Sequence, residues 1–280
     1  MPVVVVATYN IRAAIGPGDP FPAAWWRHVE RSRLERIGVI IGELGADVVS
    51  LQEVALLTAD GEHLDMAAEL GRMTGYATRY AAVAGFPIVD PDHGRTIGAC
   101  LWGNAILSRL PIRTAETIGL PVALDGDLIE PAESDHHLAG VPYTAAPNGA
   151  REGRCLLRVD VDGPRGPLSI VSTHLTHVGS GQRRTQAEAV AAHVAQQGSV
   201  VLAGDLNAAA EAPDLAPLTA TLIDPFAEAG VPPGDPRRAS CGLSRIDHIL
   251  ARDLRPIGIE VRREATGASD HDPVVARFEA

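Results

Sequence analysis

Eight polar residues stand out because each lies at or next to the end of an apolar run: Asn10, Glu53, His174, Asp205, Asn207, Asp247, Asp270 and His271. Hard oxygen donors dominate this set, and no cysteine belongs to it. Carboxylates and amides of this kind suit Mg²⁺ or Mn²⁺ better than a structural zinc. The two histidines would then serve as acid/base groups or as donors to a developing negative charge. An oxygen-ligated divalent ion with histidines beside it points to hydrolysis of a phosphoester. Each residue also has an ordinary reading, since Asn or Asp after a strand usually closes a turn or caps a helix. What turns and caps do not explain is the same polar exit repeated on many separated strands.

Guanidinium groups make bidentate contacts to phosphate oxygens, which brings in Arg151, Arg154 and Arg245; a surface ion pair accounts for each equally well. His174 and His177 have a helical-face spacing, but His174 falls where a strand should end, which disfavours a two-histidine zinc site. Asp135-His136-His137 and Asp90-x-Asp92-His93 read as solvated loop polarity. Trp25-Trp26 reads as packing over the first helix rather than as a base-stacking platform or a membrane wedge.

Strands and helices must hold these residues. Val3 to Tyr9 is a continuous β-branched run of the kind that fills a central strand buried on both faces, and it stops at Asn10. Leu34, Ile37, Ile41 and Leu44 recur at helical spacing, with Gly45 as the stop. Residues 46–52 read as the next strand, ending at Glu53; 168–173 reach His174, and 200–204 reach Asp205. Alternation of strands and helices predicts an α/β protein with its ligand site outside the strand ends, where loops present side chains fixed by a rigid scaffold. Residues 12–25 and 117–150 are expected to be loops over that site, the second long enough to be functional.

Composition narrows the function. The 280 residues are 46% hydrophobic, enough for one large globular domain, and the even alternation without a long linker favours a single domain over 1–280. No lysine occurs, which excludes a P-loop lysine, a pyridoxal-phosphate Schiff base and a lysine nucleophile. A formal charge of −11 argues against sequence-independent binding along nucleic acid. No apolar run approaches the roughly 18 residues a membrane span needs, and the first residues lack a signal-peptide pattern. Cys100, Cys155 and Cys241 are far apart and read as buried thiols in a reducing compartment. The expectation is a soluble, cytoplasmic monomer that does not act at a membrane.

Seven short segments, in order over nearly the whole chain, resemble the endonuclease/exonuclease/phosphatase superfamily: Thr8 to Ile11, Asp47 to Val54, Gly103 to Arg109, Ser172 to Leu175, Gly204 to Asn207, Arg245 to Leu250 and Ser269 to Val274. The resemblance implies a four-layer α/β sandwich of two packed mixed sheets with outer helices. It implies that Glu53, Asn10 and Asp270 bind the metal, and that Asp205 and Asn207 orient the attacking water and the phosphate. It further implies that His271 with Asp247 acts as base or stabilises phosphorane-like charge, and that His174 donates to the phosphate or leaving oxygen. Asn104 lies in one of the segments and is a candidate phosphate contact.

The substrate is expected to be a small phosphorylated molecule, a monoester or a diester. The alternative is an endonuclease or exonuclease acting on DNA or RNA, which the acidity of the chain and of residues 117–150 disfavours. A sphingomyelinase-like activity would need an apolar anchor that the sequence does not offer. A noncatalytic binding module would have no need for the full metal and histidine set.

Overall fold

The computed structural model describes residues 2–18, 24–122, 128–129, 143–144, 153–177, 179–263 and 267–279. In chain order the strands are β1 (Val3–Asn10), β2 (Val48–Ala59), β3 (Glu62–Asp65), β4 (Ala77–Val89), β5 (Thr96–Ser108), β6 (Ile112–Gly119), the two-residue β7 (Leu128–Ile129) and β8 (Tyr143–Thr144), β9 (Cys155–Gly163), β10 (Gly166–His174), β11 (Val200–Asp205), β12 (Asp247–Arg252), β13 (Arg255–Val261) and β14 (Val274–Glu279). Three longer helices accompany them: α1 (Arg31–Glu43), α2 (Met66–Thr74) and α3 (Ser180–Val194).

Two mixed sheets result. One runs β13-β14-β1-β2-β5-β4, with β3 on part of β2; the other runs β12-β11-β10-β9-β6. The period of two along β1 explains how they stack. Val4 and Val6 enter a core shared with Leu157, Val159 and Ile170 of the second sheet, while Ala7 and Tyr9 face Leu34, Ile37 and Ile41 of α1. Across the second sheet, Val171, Leu202 and Leu250 pack on Ala187, Val190 and Val194 of α3. The layers are therefore helix, sheet, sheet and helix, the expected four-layer sandwich. Among the described residues no helix is long and apolar enough to cross a membrane.

Among the described residues two strand pairs are parallel, β1 with β2 across α1 and β10 with β11 across α3. Each is a βαβ unit, and their carboxyl ends carry Asn10, His174 and Asp205, with Glu53 just past the paired part of β2. A buried polar cluster ties the two units together beneath that edge: Gln52 Nε2 donates to Ser50 Oγ at 2.8 Å, and Ser50 Oγ lies 2.7 Å from Ser172 Oγ of the other sheet.

The expected loops are partly realised. Arg12–Ala14 form a single 3-10 turn and Trp25 opens another, while residues 19–23 lie outside the described residues. Residues 117–119 belong to β6 rather than to a loop, because β6 pairs with β9 as far as Gly119↔Cys155. Beyond it β7 pairs with β8, and residues 123–127, 130–142 and 145–152, with Asp135, His136, His137 and Arg151, lie outside the described residues.

Candidate active site

Asp205 ends β11, and the ladder sets His174 of β10 opposite it on one side and Asp247 of β12 on the other. The site thus begins as three neighbouring residues in one sheet. The approach depends on Gly204, since a Cβ there would stand 1.9 Å from the Thr173 carbonyl oxygen. From the other sheet, a bulge in the β2–β5 ladder between Leu51 and Val54 gives Glu53 a left-handed φ of 54°. Asn207 has the same φ of 54°, and Arg12, Ala13 and Ala14 are left-handed as well. Non-glycine residues held there cost on the order of 1–3 kcal/mol each, and such strain collects at functional sites.

Asn10 joins the two sheets. Its Nδ2 donates to Glu53 Oε1 at 2.9 Å and to Asp205 Oδ2 at 3.1 Å, while its Oδ1 accepts from the backbone N–H of Arg12 at 3.0 Å. The backbone donor fixes the amide's orientation, so Asn10 presents its nitrogen to the carboxylates. In this arrangement it orients both of them.

Asp270 pairs with Arg12. Its carboxylate lies 3.2 Å from Arg12 Nη1, because the left-handed turn at Arg12 brings that guanidinium to it. The carboxylates that do meet are Asp205 and Asp247, whose ligand atoms lie with one of His271 within 4.8 Å of each other. Burial and the facing Asp247 push Asp205 up to about 7. Asp247 Oδ1 is buried with no hydrogen-bond partner. Two facing carboxylates, one with an orphaned oxygen, are the donor set a hard divalent cation satisfies, so the residues fit the metal.

The two histidines are shifted in opposite directions. His271 Nδ1 lies 2.7 Å from Asp247 Oδ2. Burial works against its charge, yet the Asp247 carboxylate and the hydrogen bond to it outweigh burial and hold His271 well above its ordinary value. His174 is held well below its ordinary value by burial, then by Arg154 and the other histidines. Asn207 Nδ2 lies 2.9 Å from the Leu175 carbonyl and 3.0 Å from His174 Nε2, so Nε2 accepts and His174 is neutral. Asn207's own N–H is fixed to Asp205 Oδ1 at 2.9 Å.

Glu53, Arg154, His174, Asp205, Asn207 and His271 line one cavity of about 480 Å³. Arg154, a candidate from the sequence, is buried at its wall. Two other candidates are turned elsewhere. Asn104 is buried with Nδ2 3.4 Å from the Cys155 carbonyl, bridging β5 to β9. Arg245 grips Asp224 through Nη1 at 2.7 Å and Nη2 at 2.6 Å and stacks over Phe226, lining a separate cavity of about 830 Å³. Its charge is matched inside the protein by Asp224. Four residues in the catalytic cavity were not candidates: Trp25, Phe86, Trp102 and His177. Trp25 stands in a Trp pair that reads as packing, His177 stands three residues after His174 in a spacing read against zinc, and Phe86 and Trp102 carried no signal.

Two sheets whose parallel strands deliver carboxylates and histidines to one edge define an α/β sandwich protein with its site at the strand ends. Within that class the chain belongs to the Endonuclease/Exonuclease/phosphatase family, whose model matches residues 7–271, a family of phosphoester-cleaving enzymes that generally depend on a divalent metal. Among solved structures it is similar to an endonuclease/exonuclease/phosphatase from Beutenbergia cavernae DSM 12333, with 24% identity and a TM-score of 0.71, over 100% of this chain and 72% of that one. It is similar to the endonuclease/exonuclease/phosphatase from Bacteroides vulgatus, with 18% identity and a TM-score of 0.62 over 100% and 99% of the two chains. It is also similar to a humanized D. rerio TDP2, with 16% identity and a TM-score of 0.62 over 99% of each. No curated protein matches the sequence.

Proposed function

We propose that the protein hydrolyses a phosphoester of a small soluble molecule with water as nucleophile, and that Glu53, Asp205 and Asp247 would hold the divalent cation, Mg²⁺ or Mn²⁺, that the reaction uses. The observation that carries this reading is the buried pair Asp205 and Asp247, facing each other with Asp247 Oδ1 unpartnered. When bound, the cation would supply neutralisation of charge on the phosphate oxygens.

The chain's own residues do the rest. Arg154 offers a second positive charge at the cavity wall for the nonbridging oxygens. His271, oriented by its Nδ1 contact to Asp247, stabilises negative charge as it builds, one of the two roles the family resemblance left open for it, and passes a proton toward the leaving oxygen, the role that resemblance gave to His174. Asp205, next to it, orients the attacking water and accepts its proton. Asn207 and neutral His174 hold that carboxylate and the cavity wall in place. The strained backbone at Glu53 and Asn207 keeps the groups set before substrate arrives.

A hydrolysis screen with Mg²⁺ and Mn²⁺ tests this, using aryl phosphomonoesters and diesters, nucleotides, inositol phosphates, sphingomyelin, and DNA and RNA oligonucleotides. Turnover of a small ester that chelation abolishes and Mg²⁺ or Mn²⁺ restores is the expected result. Full turnover in excess chelator, or cleavage confined to polynucleotides, contradicts it.

A further inference from the structure

We infer that the cavity takes a phosphoester carrying a planar aromatic group, which stacks on a wall made by Trp25, Phe86 and Trp102. The inference rests on the phosphoesterase reading above and adds the chemistry of what is attached to the phosphate. Aromatic residues are scarce in this chain, with three Trp, four Tyr and four Phe among 280 residues. Trp25, Phe86 and Trp102 nevertheless line the same cavity as Glu53, Arg154 and His174.

The wall is built by the elements that build the catalytic edge. Trp102 of β5 lies opposite Ala55 of β2, two residues past Glu53, and opposite Ala84 of β4, two residues before Phe86. The bulge that turns Glu53 into the cavity therefore also sets Trp102 beside it. Trp25 is the hub: its ring lies 5.2 Å from Trp102 at 81°, 6.2 Å from Phe86 at 72° and 6.5 Å from Trp26 at 88°. Edge-to-face packing of this kind fixes the rings, and aromatic side chains lose little rotamer freedom on binding. Trp25 is nearly buried, whereas Phe86 and Trp102 are half-buried at the cavity. A cavity of about 480 Å³ is of the size that encloses a small molecule. With charged groups and rings lining the same cavity, it matches a molecule that carries both a phosphate and a flat π-surface. An aliphatic chain would need no such rings.

All three tryptophans lie in this cluster, so intrinsic tryptophan emission reports on the wall and on Trp26 packed against it. The test titrates phenylphosphonate and methylphosphonate, which cannot be hydrolysed, into the Mg²⁺-loaded protein, read by emission and by calorimetry. Phenylphosphonate is expected to bind about tenfold more tightly than methylphosphonate or better, with a change in emission. Phe86→Leu and Trp102→Leu keep an apolar side chain but remove a ring, and each is expected to cut that ratio several-fold; a purely structural role would lower the melting temperature and leave the ratio unmoved. Adenosine 5′-monophosphate as a third ligand separates the two sources of a flat ring, an aryl group on the phosphate or a nucleobase one sugar away. Preferential binding of either that the Leu variants weaken supports the inference. Equal affinity for the two phosphonates, with adenosine 5′-monophosphate no better, or a preference unchanged in both variants, overturns it. If neither phosphonate nor inorganic phosphate binds, the phosphoesterase reading fails, and this inference with it.

Discussion

Asp224→Asn removes one negative charge from a buried cluster that holds the segment leading into Asp247. Asp224 accepts from Arg245 Nη1 and Nη2 at 2.7 and 2.6 Å, from Arg238 Nη2 at 2.8 Å, and from the Phe226 N–H at 3.0 Å. The side chains of Arg238 and Arg245 are only 3% and 6% exposed. Asparagine can still cap Phe226 and accept one guanidinium N–H, but it leaves Arg245 without its carboxylate. Arg238 keeps Glu211, which is 45% exposed and screened by water. Removing one partner of a buried ion pair costs about 3–5 kcal/mol, and the retained cap places this variant near about 3. Burial opposes the charge on Asp224, but Arg245 outweighs it and holds the carboxyl below its ordinary value. Its contribution is therefore complete above the unfolded carboxylate value of about 4 and is lost as pH falls through the lower folded value. Urea unfolding followed by circular dichroism at pH 7, and again on acidification, measures both effects. The midpoint should fall at constant slope, and the gap between wild type and variant should narrow in acid. A loss under about 1 kcal/mol at pH 7, or a gap that widens in acid, refutes the reasoning.

Gly204→Ala should destabilise by about 1–3 kcal/mol and depress turnover even where folding survives, because its methyl would separate His174 from Asp205; thermal melts beside steady-state rates check this. His271→Ala should lower kcat by about 10² to 10⁴, Asp247→Asn should do the same more mildly, and the double variant should cost much less than the product of the two, since the pair acts as one unit. Burial pushes the thiols of Cys100 and Cys155 up to about 12, whereas Cys241 is half-buried. Thiol titration of the native protein at pH 8 should therefore label Cys241 alone, and release of all three thiols without denaturant would contradict that packing.

The scaffold was legible because it is written in local patterns. A β-branched run closing on Asn10, a helical repeat closing on Gly45, and apolar runs reaching His174 and Asp205 became β1, α1, β10 and β11. The convergence of Glu53, His174, Asp205, Asn207 and His271 on one cavity follows from strands that end at one edge. Side-chain partners were a different matter. That Asp270 meets Arg12 depends on a left-handed turn, that Arg245 meets Asp224 depends on a contact 21 residues away, and that Asn104 turns to Cys155 depends on how the sheets stack. Trp25, Phe86 and Trp102 come from three separate segments, so no spacing in the chain announces their wall.

Calorimetric titration of Mn²⁺ into metal-stripped protein bears most directly on the claim that these carboxylates hold a catalytic divalent cation. Wild-type protein should bind the ion, Glu53→Gln and Asp205→Asn should each weaken binding by roughly tenfold or more, and His174→Ala should bind nearly as wild type. Absence of binding to the wild-type protein, or wild-type affinity in both carboxylate variants, would contradict the account.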